Sequence, residues 1–304
     1  MGLKKKFMRA YYGLDTWREF WVLRFERIAR LFGNRTEFYR NEHMRSLSEK
    51  YIGKDFMQIK DIRYPLLNEP DRLYSFMFSI LEDTLGSYVC FGDRYDEKTF
   101  DTCGALINEG LYGLVNDKVN VTVESGDIVI DAGSWIGDFA AYASVKGATT
   151  YAFEPSDENF AYLLKTAELN KNIIPVKKGL SDKAVTQNMF VNIAGNSGGD
   201  SFMNKSEDTD YQEASTSVEI TTVDDFVREN KLSRVDFIKS DIEGFERNML
   251  AGAQETLKKF APKLALCTYH LPDDPEVMAR LIKQANPAYN IVQKKMKLFA
   301  SVPK

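Results

Sequence analysis

The sequence predicts an α/β protein built on a doubly wound, mostly parallel sheet. Three observations carry this expectation. From Gly126 onward, short apolar runs suited to buried parallel strands alternate with segments of helical period. The first run turns into a helix through Gly133 and Gly137, residues that tolerate the tight backbone of a strand-to-helix turn. Run after run then closes on a polar or acidic residue, at the sheet edge where folds of this class bind ligands.

The elements follow in chain order. Residues 1 to about 60 are aromatic and basic at the start, with Lys4, Lys5, Lys6, Arg9, Arg18, Arg24 and Arg27 outnumbering the acids. Trp17, Phe20, Trp21, Ile28, Leu31 and Phe32 recur at helical spacing, which predicts an amphipathic helix with an arginine-rich polar face. Such a helix suits an anionic membrane surface, a second subunit or the neighbouring domain. Further helices are expected over Leu73–Leu85 and Thr102–Leu114, with Pro65 and Pro70 interrupting the path between Ile62 and Leu73. Residues 1–120 thus read as a helical N-terminal extension and 121–304 as the ligand-binding domain.

In that domain the first strand is Ile128–Asp131 and the first helix Gly137–Lys146. Strand two, Thr150–Glu154, feeds a helix over Glu158–Asn170 with Asp157 as its N-cap. Strand three, Ile174–Lys178, leads into Gly179–Asp182. The period then changes to that of an inserted antiparallel hairpin, Gln187–Ile193 and Ser215–Thr221, around the polar stretch Gly195–Asp200. A short helix over Thr222–Asn230, strand four at Val235–Lys239, a helix over Phe245–Phe260 and strand five at Leu264–Thr268 complete the alternation. Tyr289–Gln293 and Lys297–Ser301 form a closing hairpin, which supplies an antiparallel C-terminal strand.

Composition narrows the function. The 304 residues are 44 % hydrophobic, enough for a proper core, and a net charge of −4 without interleaved basic and aromatic positions argues against nucleic acid as a partner. Cys90, Cys103 and Cys267 are too few and too scattered for a disulfide framework or a zinc cluster, which fits a reducing, cytoplasmic setting. No apolar run approaches the roughly eighteen residues of a membrane span, and the start lacks the apolar core of a secretory signal.

The strand ends nominate the chemistry. Asp131 stands where a dinucleotide-binding loop would carry its first glycine, so a phosphate is disfavoured there and a cationic ligand is favoured by Coulomb attraction. Glu154 falls roughly twenty residues after the loop, where the second strand presents an acid to ribose hydroxyls. A nucleoside bearing a sulfonium and an ammonium fits both acids, which points to S-adenosylmethionine. Ser181 and Asp182 end the third strand, Asp241 and Glu243 the fourth, and Tyr269 and His270 the fifth. A base that removes a hydroxyl proton needs a carboxylate or imidazole beside the acceptor, for which Asp241 is the first choice, His270 the second, and Glu243 the group that orients either. Asp241, Glu243, His270 and Asp273 also form a conceivable divalent-cation set, although no ligand spacing demands a metal. Two other readings stand beside this one: a nicotinamide-dependent oxidoreductase, which Asp131 disfavours, and a binding or scaffold protein that keeps the fold without catalysis.

The succession Val-Ile-Asp-Ala-Gly-Ser-Trp-Ile-Gly-Asp-Phe (129–139), Ala-Phe-Glu-Pro (152–155), Gly-Leu-Ser-Asp (179–182), Ser-Gly-Gly-Asp-Ser (197–201), Thr-Thr-Val-Asp-Asp-Phe (221–226) and Asp-Phe-Ile-Lys-Ser-Asp-Ile-Glu-Gly-Phe-Glu (236–246) resembles the FkbM-type methyltransferases, over about Val121 to Pro303. The resemblance implies a class I methyltransferase fold, S-adenosylmethionine as donor with S-adenosylhomocysteine as product, and O-methylation of a sugar, glycan or small natural product. It implies that Asp131, Gly133, Ser134 and Gly137, with Trp135 in the same loop, line the methionine portion. Glu154 and Pro155 would then meet the ribose, Ser181 and Asp182 the adenine edge, and Asp241 with Glu243 the catalytic rim. The chain departs from the family at Trp135, where an asparagine is usual, at Ser240, more often apolar, and at Phe245, usually alanine. The first hundred-odd residues lie outside the resemblance and are the expected seat of acceptor selection.

Overall fold

The computed structural model describes residues 52–59, 61–67, 112–192, 199–294 and 297–303. The chain divides into two compact units, one of Ile59–Pro65 with Tyr112–Lys304 and one of Met1–Gln58 with Leu66–Leu111. The expected basic helix, the helix at Leu73–Leu85 and all but the last three residues of the helix at Thr102–Leu114 lie outside the described residues. Leu114 itself belongs to a short strand rather than to a helix end.

The described strands are β1 (Phe56–Ile59), β2 (Ile62–Pro65), β3 (Leu114–Val115), β4 (Asn120–Val121), β5 (Ile128–Ala132), β6 (Thr149–Phe153), β7 (Ile173–Val176), β8 (Gly179–Leu180), β9 (Val185–Asn192), β10 (Tyr211–Thr221), β11 (Phe237–Ser240), β12 (Lys263–Cys267), β13 (Asn290–Lys294) and β14 (Lys297–Ser301). The helices are α1 (Asp138–Val145), α2 (Asp157–Leu169), α3 (Val223–Glu229), α4 (Glu246–Ala251), α5 (Gln254–Phe260) and α6 (Asp274–Ala285). Seven strands form the main sheet in the order β13-β14-β12-β11-β5-β6-β7. β7, β6, β5, β11 and β12 are mutually parallel, while β14 runs antiparallel between β12 and β13. The expected Rossmann-like α/β class and antiparallel C-terminal strand are therefore present.

Strand alternation sends one set of side chains to each face. On one face Ile130, Ile238, Leu264 and Leu266 pack with Met249 and Leu250 of α4 and Met278 and Ile282 of α6, all fully buried. Each such side chain contributes about 1.5–3 kcal/mol by leaving water. On the other face Phe139 of α1 stacks against Phe237 with ring centroids 5.7 Å apart and meets Tyr112 edge-on at 5.5 Å. β2 packs beside α1 and α2, with the Tyr64 hydroxyl 3.5 Å from the Asp138 carbonyl oxygen. The expected inserted hairpin is β9 and β10, and β8 adds to it in parallel to make a separate three-stranded sheet.

Local differences have local causes. Asp157 opens α2 as its first residue, and Ser156, still extended at φ −67° and ψ 129°, occupies the N-cap. Thr222 does cap α3, its hydroxyl accepting from the Asp225 amide at 2.9 Å. The single helix expected over Phe245–Phe260 is broken into α4 and α5 at Gly252 and Ala253. There the Gly252 carbonyl accepts from the Asp224 amide, and Gly252 lies so close to the Ser181 carbonyl that a Cβ would collide with it. α6 was not expected, although Pro275 in its first turn and buried positions at Asp274, Met278 and Ile282 give it a start signal and a helical stripe. Among the described residues no helix is long and apolar enough to cross a membrane.

Candidate active site

Strand order reverses direction between β5 and β11, and the carboxyl ends of these neighbours frame the crevice where an open α/β sheet takes its ligand. Parallel register sets Asp131 directly beside Lys239. Their side chains are buried together, with the Lys239 Nζ 3.0 Å from Asp131 Oδ1. Burial pulls the Lys239 pKa down, but the charges of Asp131, Asp138 and Asp241 overcome this and hold the ammonium above its ordinary value. Asp131 was expected to attract a cationic ligand; the structure pairs it with a lysine of the adjacent strand.

The glycine loop is fixed by protein contacts. Gly133 has φ +74°, and a Cβ there would drive into the carbonyl oxygen of Asp241, so this glycine lets the loops after β5 and β11 touch. Gly137, at φ +92°, faces Leu163 and Thr166 of α2 in the same way. On the side a Cβ would occupy, both glycines thus lie against neighbouring chain. Ser134 is buried, and its hydroxyl donates to the Asp131 carbonyl at 3.0 Å, holding the turn. Trp135 adopts φ +49°, and its amide donates to Glu154 Oε2 at 2.9 Å.

Glu154, at the end of β6, also accepts the Ser156 amide on Oε1 at 2.9 Å. Burial pushes its pKa up to about 8, against those two amides and with the charge of Asp200 adding to the rise. Glu154 therefore meets a hydroxyl mostly as the neutral acid at pH 7. Pro155 beside it is half-buried. Ser181 and Asp182, expected at the third strand end, instead follow β8 of the three-stranded sheet; Ser181 is buried and its hydroxyl donates to Asp182 at 2.9 Å, which holds the exposed Asp182 carboxyl below its ordinary value.

The richest cluster lies after β11 and β12. Asp241 accepts from the Tyr112 hydroxyl on Oδ2 at 2.8 Å and from the Tyr269 hydroxyl on Oδ1 at 2.9 Å. Burial raises its pKa, but Lys239, the two tyrosines and His270 outweigh this, so it stays ionised. His270 points Nε2 at Glu243 Oε2, 3.4 Å away, and at Asp241 Oδ1, 3.9 Å away. Its Nδ1 lies 3.3 Å from Glu246 Oε1. Burial lowers the imidazole pKa, yet Glu243 and Glu246 lift it to about 10. In this arrangement the imidazole favours its protonated form at neutral pH, whereas the base expected of it needs the neutral form. Asp273 turns away to pair with Arg247 at 2.5 Å, which removes it from the cation set.

The structure brings Asp241, Glu243 and His270 together as expected and adds Tyr112, Lys239 and Glu246. Glu246 is fully buried and accepts the amides of Ile242 at 2.8 Å and Gly244 at 3.1 Å, so it shapes the loop that carries Asp241 and Glu243. Glu243 sits at φ +52° and its carbonyl accepts the Ser201 hydroxyl at 2.7 Å, tying the inserted sheet to this loop. A lysine following Phe237 and Ile238 in a buried strand was the available signal for Lys239. Tyr112 carried none, because its partner is distant in sequence.

Residues 129–287, more than half of the chain, match the family model described as the methyltransferase FkbM domain. Hexuronic acid methyltransferase AglP of Haloferax volcanii is 24 % identical over 163 residues, which are 53 % of this chain and 64 % of the relative. The chain thus spans just under two thirds of that curated relative's length. Among solved structures, methyltransferase FkbM from Methylobacillus flagellatus KT aligns over 87 % of this chain and 60 % of its own, at 15 % identity and a TM-score of 0.46. Fibrillarin of Aeropyrum pernix, in complex with natively bound S-adenosyl-L-methionine, aligns over 65 % of this chain and 74 % of its own, at 14 % identity and a TM-score of 0.38.

Proposed function

Since the chain belongs to the FkbM methyltransferase family, we propose that it transfers the methyl group of S-adenosylmethionine to a hydroxyl of a sugar, glycan or small natural product. The observation that carries this reading is the carboxylate of Asp241, kept ionised beside the glycine loop by two tyrosine hydroxyls and a buried lysine. The donor would lie over the carboxyl ends of β5 and β6, with Glu154 toward its ribose. The residues suit such a nucleoside: Lys239 is paired with Asp131 rather than offered to a pyrophosphate, and Glu154 retains lone pairs beyond those its two backbone donors use. The donor supplies an electrophilic methyl group that moves by in-line displacement from sulfur to oxygen.

The chain's own part is alignment and proton management. An acceptor hydroxyl placed at Asp241 loses charge-separation cost as its proton shifts toward the carboxylate, and Tyr112 and Tyr269 hold that carboxylate in one orientation. Burial and Asp241 raise the Tyr269 pKa, so its hydroxyl remains a donor throughout. AglP, a relative of low identity, is named for a hexuronic acid, which supports a sugar acceptor here.

Calorimetry with S-adenosylhomocysteine tests the donor assignment. Binding is expected, and Glu154→Ala should weaken it by about 0.5–1.5 kcal/mol, the scale of a hydrogen bond to a neutral carboxyl group. Absence of binding by the folded chain would reject the donor. Donor binding without product from a broad panel of sugars and metabolites would favour the scaffold reading instead.

A further inference from the structure

We propose that Asp241, Glu243 and His270 form a binding site for a divalent cation. One oxygen of each carboxylate and a ring nitrogen of His270 lie within 4.8 Å of one another. The His270 Nε2 is 3.4 Å from Glu243 Oε2 and 3.9 Å from Asp241 Oδ1. Ligand atoms bound to one ion at about 2.0–2.3 Å stand roughly 3–4.5 Å apart, so these three can converge with small side-chain movement.

A second observation is independent of that convergence. The His270 side chain is only 8 % exposed, and both of its ring nitrogens are buried without a hydrogen bond. Nε2 is aimed into the gap between the two carboxylates. Nδ1 faces Glu246 Oε1 at 3.3 Å, the arrangement in which a ligating imidazole is oriented by a carboxylate behind it. Glu246 is itself held by the amides of Ile242 and Gly244, and Asp241 is oriented by the hydroxyls of Tyr112 and Tyr269. Support thus lies behind two of the three ligands. In the alternative grouping of Glu246, His270 and Asp274, the Asp274 carboxylate is already paired with the Arg247 guanidinium, whose positive charge opposes a cation there.

Two carboxylates and one imidazole suit manganese or zinc better than a soft metal. The ion would replace the proton on Nε2, leaving Nδ1–H toward Glu246. Three protein ligands leave positions open for oxygen. If the methyltransferase reading holds, an acceptor hydroxyl or an adjacent pair of hydroxyls would fill them, and Asp241 would then act on the acceptor through the ion. The binding of the ion does not itself depend on that reading.

The test is manganese binding to the chelator-stripped full chain, followed by the electron paramagnetic resonance of free Mn2+. Saturable binding of a single ion per chain is expected, weakened at least tenfold by Glu243→Gln and by Glu246→Gln and unchanged by Asp210→Asn in the exposed turn before β10. The protein has only two histidines, so nitrogen-labelled imidazole spectra give a readout that survives a failed variant: Mn2+ should broaden the His270 signals, assigned by comparison with His43→Gln. Absence of saturable binding, intact affinity in Glu243→Gln, or sharp His270 signals at saturating Mn2+ would each overturn the site. A chain that binds S-adenosylhomocysteine but no manganese would remove this inference and leave the methyltransferase reading standing.

Discussion

Glu154 and Asp241 are both carboxyl groups at strand ends, yet their surroundings separate them. Burial raises Glu154 to about 8 from an ordinary 4.5, whereas Lys239 and two tyrosines keep Asp241 ionised. The folded chain therefore holds a proton on Glu154 that the unfolded chain releases above about pH 4.5. Stability from this group is full below that pH and is lost as pH rises through about 8. Denaturant midpoints measured across this range should fall with pH in the native chain, and Glu154→Gln should flatten that decline. An equally steep decline in the variant would show that another group carries it. For Asp241, replacement by Asn keeps the shape and removes the charge, so turnover should fall about 10²- to 10⁴-fold with donor affinity changed little. Product formation under saturating donor measures this. Lys239→Met would strand Asp131 as an unpaired buried charge, costing about 3–5 kcal/mol, visible as a lowered melting temperature. The acids were legible because strand-end position alone nominates them. The lysine that neutralises Asp131 was not, because the pairing follows from the register of β5 with β11, which lie more than a hundred residues apart in sequence.

Elements are legible in the sequence where periodicity is local. β5, β6, β11 and β12 begin or end within two residues of the expected runs, since a buried parallel strand is a short apolar word bounded by turns. The helix expected over Phe245–Phe260 was misread because its apolar stripe continues across a break that tertiary contact imposes. Leu250 and Leu257 both face the core, but Gly252 must pass the Ser181 carbonyl. Gly252→Ala tests this. Its backbone, at φ −84°, accepts any residue, so propensity alone would make alanine neutral or favourable there. The collision with a backbone carbonyl instead predicts destabilisation by about 1–3 kcal/mol, measured by denaturant unfolding. Stabilisation would mean that the α4–α5 break yields easily. α6 was missed for a different reason: Leu271-Pro272-Asp273-Asp274-Pro275 reads as loop, yet its second proline lies in the first turn, where the missing amide costs nothing.

At the scale of the molecule, the site depends on segments outside the matched residues 129–287. Tyr112, which orients Asp241, precedes them, and β14 follows them. β14 lies between β12 and β13, so its removal would uncover a strand whose Leu264 to Cys267 are fully buried and leave β13 without a neighbour. It also places Lys297 over the Tyr112 ring, 3.8 Å from the centroid, while Ser301 accepts the Asn120 amide at 3.1 Å. The last strand thus joins the sheet edge to the residues that steady the Asp241 carboxylate. A chain ending at Lys294 should lose its cooperative melting transition, because an exposed, fully apolar strand edge recruits other chains before it folds. Calorimetry and size-exclusion chromatography of that truncation are the check. A cooperative, monodisperse product would mean that the five parallel strands are self-sufficient.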